Sequence, residues 1–305
     1  MAQAFASRII AAPVEAVWPV LRAFDGLEGW GLGVTGCHIE DGRAPDDVGC
    51  VRAFHLADGT LVRERLLALD DSRYRLSYNF ETPAFPVRNY RAHLQLIPVT
   101  DGDATYIRWW ATFDEAPEDA GRYAALIPDQ VFARALAHLA DRIPGDEAMA
   151  GPRWQGLRPA KVFCSVPLRA PAAAVWDRMR DFAGMDGWHP EIRDMVMLAG
   201  DASSRVSAVR DFIFGEGRLW EQLTLLDDPR MEFRYRILKS EMAWMNYHAG
   251  ARLYPVSCDD TTLAVWTADW TAAPNDDLEL IPNVHHNVFE LALKTLEAGL
   301  TGRAA

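Results

Sequence analysis

Two sets of four polar side chains, one in each half of the chain, fall among apolar neighbours of the same strand parity. They are Arg52, Glu64, Tyr78 and Tyr90 in the first half, and Arg210, Glu221, Tyr235 and Tyr247 in the second. A carboxyl among apolar groups is pushed up by burial and pulled down by a neighbouring guanidinium, and a tunable carboxylate of this kind suits a general base. Glu64 and Glu221 are the candidates for that role. A phenol such as Tyr90 or Tyr247 can donate a hydrogen bond to a carbonyl or enolate oxygen as charge develops there. Arg52 and Arg210 can hold a carboxylate or phenolate tip. The candidate catalytic residues are therefore Glu64, Tyr90, Glu221 and Tyr247. The candidate ligand-binding residues are Arg52, Phe54, Tyr78, Ala92, Arg210, Phe212, Tyr235 and Ala249. The structural alternatives are an Arg–Glu pair that neutralises itself and core tyrosines with satisfied hydroxyls.

These inward assignments rest on alternation, because residues two apart on a strand share a face. Cys50, Arg52, Phe54 and Leu56 fall on one side, as do Ala208, Arg210, Phe212 and Phe214. Glu64 goes with Leu66 and Ala68, and Glu221 with Leu223 and Leu225. Tyr78 lies with Leu76 and Phe80, and Tyr90 with Ala92, Leu94 and Leu96. Tyr235 lies with Phe233 and Ile237, and Tyr247 with Ala249, Ala251 and Leu253. Small side chains at Ala92, Ala249 and Ala251 leave volume beneath a covering helix. The expected interior is therefore an apolar pocket with a few convergent polar groups.

The elements that position these residues occur twice. Pro13, Val17 and Trp18 meet Pro171, Val175 and Trp176 when the chain is slid against itself. At the same spacing Phe24 meets Phe182, Trp30 meets Trp188 and Arg52 meets Arg210. One residue is then lost, after which Glu64 meets Glu221 and Leu69-Asp70-Asp71 meets Leu226-Asp227-Asp228. Asn89-Tyr90 meets Asn246-Tyr247, Trp109 meets Trp266, and Val131-Phe132 meets Val288-Phe289. Rare residues matching in such number define a duplication. The expected domains are 1–145 and 160–305, joined by a Pro- and Gly-rich linker at 146–159.

Each copy opens with a short apolar strand, then a proline heading a helical pattern. Glycines break that helix, and an alternating stretch follows, punctuated by Asp41-Gly42, Asp58-Gly59, Asp70-Asp71 and Asp101-Gly102. The pattern predicts an antiparallel meander of about six strands. After Pro117 the period becomes helical, through Ala125, Val131, Phe132, Leu136 and Leu139. The fold class is α+β: two tandem helix-grip domains, each a curved antiparallel sheet wrapped on a long C-terminal helix.

With APVEAVW, VGCVRAF and RERLLALDD in copy one, and APAAAVW, WEQLTLLDD and AVWTADW in copy two, the chain resembles the START-related, Bet v 1-like (SRPBCC) superfamily. The resemblance covers nearly all of both copies and is nearest to the bacterial polyketide cyclase/dehydrase-type branch. It implies an internal ligand cavity, with ligand contacts at the inward positions named above. The plant hormone-receptor gate and latch have no counterpart at Leu56-Ala57-Asp58-Gly59-Thr60 and Phe85-Pro86-Val87, so a receptor switch is not expected. Core-facing Ile107, Trp109, Ala111 and Phe113 compete with a receptor-like register that turns Arg108, Trp110 and Thr112 inward. Fold alone does not assign activity. The expected function is binding of a small amphipathic, polyketide-like or aromatic molecule, with cofactor-free cyclisation or dehydration. The alternatives are a non-catalytic carrier or sensor, or one copy serving only as a structural partner.

Lys and Arg total 31 against 43 Asp and Glu, a net charge of −12, which disfavours nucleic acid and anionic lipid as partners. Apolar runs are too short for membrane insertion. Residues Met1 to Ala12 lack a signal-peptide layout, and Cys37, Cys50, Cys164 and Cys258 show no CxxC spacing, so a cytoplasmic location is expected. No nucleotide-binding or hydrolase motif occurs, and no cofactor is expected. His285-His286 opens the last helix of copy two, where copy one carries Asp129-Gln130. A histidine pair without a third ligand at firm spacing is a weak metal signal, so no metal is expected and a helix-entry or pocket-mouth role is. Oligomeric state is not fixed by the sequence.

Overall fold

The computed structural model describes residues 1–119, 121–143, 159–242 and 244–302. The chain divides into two compact units, Met1–Leu157 and Arg158–Ala305. The linker expected at 146–159 lies, but for its last residue, outside the described residues.

The first unit runs β1 (Ala2–Ile10), α1 (Val14–Arg22), α2 (Leu27–Trp30), β2 (Val34–Ile39), β3 (Val51–Leu56), β4 (Leu61–Asp70), β5 (Arg75–Thr82), β6 (Arg88–Val99) and β7 (Ala104–Asp114). A C-terminal helix follows as α3 (Arg122–Leu126), a π turn (Ile127–Ala133) and α4 (Arg134–Arg142). The strands form one seven-stranded antiparallel sheet in the order β1-β7-β6-β5-β4-β3-β2. The meander is therefore extended by the opening strand, which pairs with the last.

The second unit repeats this plan. It has α5 (Ala172–Met179) after β8 (Val162–Leu168), then β9 (Ile192–Met197), β10 (Val209–Phe214), β11 (Gly217–Asp227), β12 (Glu232–Lys239), β13 (Met245–Val256) and β14 (Thr261–Thr271). It closes with α6 (Pro274–Asn283), a π turn (Val284–Glu290) and α7 (Leu291–Thr301). Its sheet order is β8-β14-β13-β12-β11-β10-β9. The second short helix of the first unit is here a single 3-10 turn, Met185–Gly187.

The repeated residues have structural reasons. Val14, Val17, Trp18 and Leu21 make the buried stripe of α1, with Pro13 leading in. Trp18 Nε1 and Arg22 Nε both donate to Asp71 Oδ1, at 2.9 and 2.8 Å, tying α1 to the turn after β4. Trp176 and Arg180 hold Asp228 in the same way, each at 2.9 Å. Asn89 and Asn246 both sit at φ 54°, where the pairing of β6 with β7 and of β13 with β14 slips. Asparagine tolerates the left-handed region better than other side chains, and a bulge re-aims the residue after it. That residue is Tyr90 or Tyr247, buried in each case.

Three sequence expectations are corrected. Strand parity assigned Ala68 and Leu225 to the inner face, but register shifts at Leu66/Ala68 and Leu223/Leu225 intervene. The extra residue inverts the alternation, leaving Ala68 exposed and turning Leu69 and Leu226 toward the core. The final helix is not uniform: π turns interrupt it near Pro128 and Pro282, prolines that lack the N–H an α-helical ladder needs. Nor is the interior beneath the small residues lined by small side chains alone. Trp109 stacks on Phe132 at 4.4 Å, Phe80 on Tyr90 at 4.1 Å, and Trp266 on Phe289 at 4.7 Å. Large rings borne by helix and strands thus share the cores to which Ala92, Ala249 and Ala251 belong. Of the two registers for β7, Ile107, Trp109, Ala111 and Phe113 are buried, while Arg108, Trp110 and Thr112 are only half-buried on the other face.

Candidate functional site

Arg52 on β3 and Glu64 on β4 are directly opposite in the antiparallel register, and so are Arg210 on β10 and Glu221 on β11. All four side chains are fully buried, at 7% exposure or less. Arg52 Nε and Nη2 reach Glu64 Oε2 at 2.7 and 2.6 Å, and Arg210 Nε and Nη2 reach Glu221 Oε2 at 2.8 and 2.5 Å. Each arginine spends a further donor on a backbone carbonyl, Phe24 O at 3.0 Å and Phe182 O at 2.9 Å. The guanidinium lies over the ring of the same phenylalanine, 4.1 Å from Phe24 and 4.0 Å from Phe182. Tyr78 and Phe54 flank Arg52, and Tyr235 and Phe212 flank Arg210. Burial pushes the Glu64 and Glu221 carboxyls up and outweighs the pull of the arginines. In both pairs the arginine bonds fall on Oε2.

The tyrosines are next in line. Tyr78 sits opposite Ala92 and Tyr235 opposite Ala249, and those alanines leave room for the phenols of Tyr90 and Tyr247 one pleat away. The Tyr78 and Tyr90 rings lie side by side with centroids 6.3 Å apart, and those of Tyr235 and Tyr247 6.4 Å apart. Burial pushes all four phenols far up; the Tyr90 and Tyr235 hydroxyls are raised next by Glu64 and Glu221 respectively. Trp109 Nε1 donates to Tyr78 Oη at 3.0 Å. Trp266 Nε1 falls short of hydrogen-bond geometry toward Tyr235 and has no partner among the described residues. All twelve residues singled out by sequence are therefore buried, and in each unit Arg, Glu and both Tyr form one contiguous group. Phe54, Ala92, Phe212 and Ala249 pack beside them.

Sequence reasoning missed Phe24 and Phe182 as members of this group. Their exact recurrence in the repeat was the available signal. His189, which replaces Gly31 of the first unit, stands out in the sequence as a feature of the second copy alone, with no role assigned to it. His189 is buried, accepts the Glu191 N–H at Nδ1 (3.2 Å) and packs edge-on to Phe214 at 5.5 Å. Burial holds its pKa down at about 4, opposed by the Val288 backbone and reinforced by Arg210. His285 and His286 fall in the π turn between α6 and α7, within the C-terminal helix rather than at its entry as expected, with His285 half-buried and His286 exposed. No helix among the described residues is long and apolar enough to cross a membrane.

Two helix-grip shells, each with a buried Arg–Glu–Tyr–Tyr group, define a tandem START-like protein. The chain belongs to the family described as polyketide cyclase / dehydrase and lipid transport, which it matches over residues 1–144 and again over 159–300. Among solved structures it is similar to a protein from Thermobifida fusca at 34% identity, covering 47% of this chain and 93% of that one (TM-score 0.42). It is similar along most of its length to the di-domain ARO/CYC BexL of the BE-7585A biosynthetic pathway, at 14% identity, 97% and 98% coverage and TM-score 0.38. A START superfamily protein from Mycobacterium smegmatis matches at 18% identity over 46% of this chain and 97% of its own (TM-score 0.39).

Proposed function

We propose that each unit binds a small amphipathic, aromatic or polyketide-like molecule against its Arg–Glu–Tyr–Tyr group and promotes cofactor-free cyclisation or dehydration. The observation that carries this reading is the placing, twice over, of an Arg–Glu pair beside two neighbouring phenols inside an otherwise apolar shell. A structural ion pair needs no pair of phenols beside it. With the arginine on Oε2, Glu64 Oε1 takes a proton from a methylene next to a carbonyl, and the raised carboxyl pKa makes it a stronger base. A Tyr90 hydroxyl donates to the oxygen that becomes an enolate. Attack of that carbon on a second carbonyl forms the ring bond, and the resulting alkoxide takes back the proton held by Glu64; Glu64 then removes a second proton from the same carbon and passes it to the departing hydroxyl, which leaves as water as the double bond forms. Entry of the molecule requires the Phe132 or Phe289 ring to swing from its stack.

A second reading has its own support. Both arginines and the Tyr78 phenol already have hydrogen-bond partners, which favours a carrier that holds its cargo without reacting. The two are separated by incubating the full chain with an aryl poly-β-ketone thioester and following the mass of the recovered compound. Loss of one water that vanishes in Glu64→Gln/Glu221→Gln, while the compound still binds, establishes catalysis. Recovery unchanged, bound by native protein and variant alike, establishes the carrier. Tyr90→Phe/Tyr247→Phe removes only the hydroxyls and is expected to slow turnover more than it weakens binding.

A further inference from the structure

We propose that His285, His286 and Glu290 form a surface site for one divalent transition-metal ion on the second unit's C-terminal helix. The sequence offered two histidines and no third ligand at a recognisable spacing. The structure supplies Glu290. One ligand atom from each of the three lies within 4.8 Å of the others. The imidazole rings are 4.5 Å apart, and His286 Nδ1 is 2.7 Å from Glu290 Oε2.

The π turn over Val284–Glu290 is what brings them together. On an α-helix, residues four apart share a face, whereas residues five apart have rotated away from it. A π turn takes in one more residue, so positions four and five before Glu290 both fall on its side. His286 and His285 occupy those two positions. The carboxylate is also prepared for the task. Lys294 Nζ holds Oε1 at 2.5 Å, which orients the group and leaves Oε2 toward the imidazoles. An ion there replaces the His286–Glu290 hydrogen bond and need not disturb Lys294.

Two imidazoles and one carboxylate are the donor set of open zinc sites, the fourth position being left to water. Imidazole ligation selects Zn²⁺, Co²⁺, Ni²⁺ or Cu²⁺ over Mg²⁺ and Ca²⁺. The first unit has the same π turn, but at the spacing that pairs Phe132 with Phe289 it carries Pro128, Asp129 and Ala133, so the histidines stand opposite Pro128-Asp129, one residue earlier than the Asp129-Gln130 set against them on the sequence. The site therefore belongs to the second unit alone. Its consequence is mechanical, since the ion clips the turn that presses Phe289 onto Trp266.

The test uses the tag-free full chain, stripped with chelator and titrated with Zn²⁺ by calorimetry, with Co²⁺ as an optical probe. The expected result is one Zn²⁺ per chain, a tetrahedral-type Co²⁺ spectrum and no competing uptake of Mg²⁺. His285→Ala, His286→Ala and Glu290→Ala should each weaken binding by at least about tenfold, while Asp129→Ala in the first unit changes nothing. These substitutions fall at exposed or half-buried positions of the turn, and His286→Gln, which keeps side-chain volume, serves as a second variant. No stoichiometric uptake, or uptake that survives His285→Ala and His286→Ala, overturns the proposal.

Discussion

At the residue scale, the buried ion pairs dominate the behaviour expected of variants. Arg52 and Glu64 face one another in a buried setting, at 4% and 5% exposure. Removing one member leaves a buried charge, typically at a cost of about 3–5 kcal/mol, whereas replacing both with apolar residues of similar volume is often neutral. Arg210→Ala should therefore lower the urea midpoint far more than Arg210→Met/Glu221→Leu. Equal losses from the two would show that the pair is not isolated from solvent. His189 sets a pH dependence. Its folded pKa of about 4 lies below the ordinary value of 6.5, so as pH falls the unfolded chain takes up the proton first. Stability from the neutral imidazole is complete above pH 6.5, falls by at most about 1.4 kcal/mol per pH unit toward pH 4, and then levels off. His93, also held at about 4, acts in the same direction. Urea unfolding of His189→Phe at several pH values should show a shallower acid decline than the native chain; an identical slope contradicts the burial account. Parity located the Arg, Glu and Tyr positions because the strand period is local. It could not place His189, which lies on no strand, between the Met185–Gly187 turn and β9.

At the scale of elements, the Asn-Tyr pairs set how β6 and β13 begin. Asn89 and Asn246 adopt positive φ, and Asn89 Nδ2 also donates to Asp114 Oδ2 at 2.7 Å. A β-branched residue there meets the steric cost of the left-handed region, about 1–2 kcal/mol, while glycine does not. Asn246→Val should destabilise by about that amount and Asn246→Gly by less, measured by chemical denaturation; the reverse order would contradict the bulge. The meander, the leading helix and the closing helix were legible because each keeps one hydrophobic period. Bulges at Leu66/Ala68 and Leu223/Leu225 add a residue without changing composition, so alternation read from the sequence runs past them. The π turns were hidden for a related reason: Pro128 and Pro282 announce a break in the ladder but not whether the helix kinks, ends or widens.

For the molecule as a whole, the duplication was the clearest signal in the chain, since Trp, Pro and Asp recur together too often for chance. Each unit has its own sheet, helix and core. Expressed separately, residues 1–144 and 159–305 should each unfold cooperatively, as followed by circular dichroism and denaturant; a half that is unfolded alone would mean the other serves as its scaffold. What composition could not convey is how the interior is filled, because the same alanines are compatible with a void or with rings arriving from the helix. The central claim is that these interiors open to admit a ligand at the Arg–Glu–Tyr–Tyr groups. It is tested most directly by titrating the full chain with a hydroxyanthraquinone carboxylate and recording tryptophan fluorescence, since Trp109 and Trp266 lie within the interiors. The account predicts saturable quenching that weakens by at least about tenfold, or 1.4 kcal/mol, in Arg52→Met/Glu64→Leu/Arg210→Met/Glu221→Leu. Quenching that never saturates, or that saturates identically in that folded variant, contradicts it.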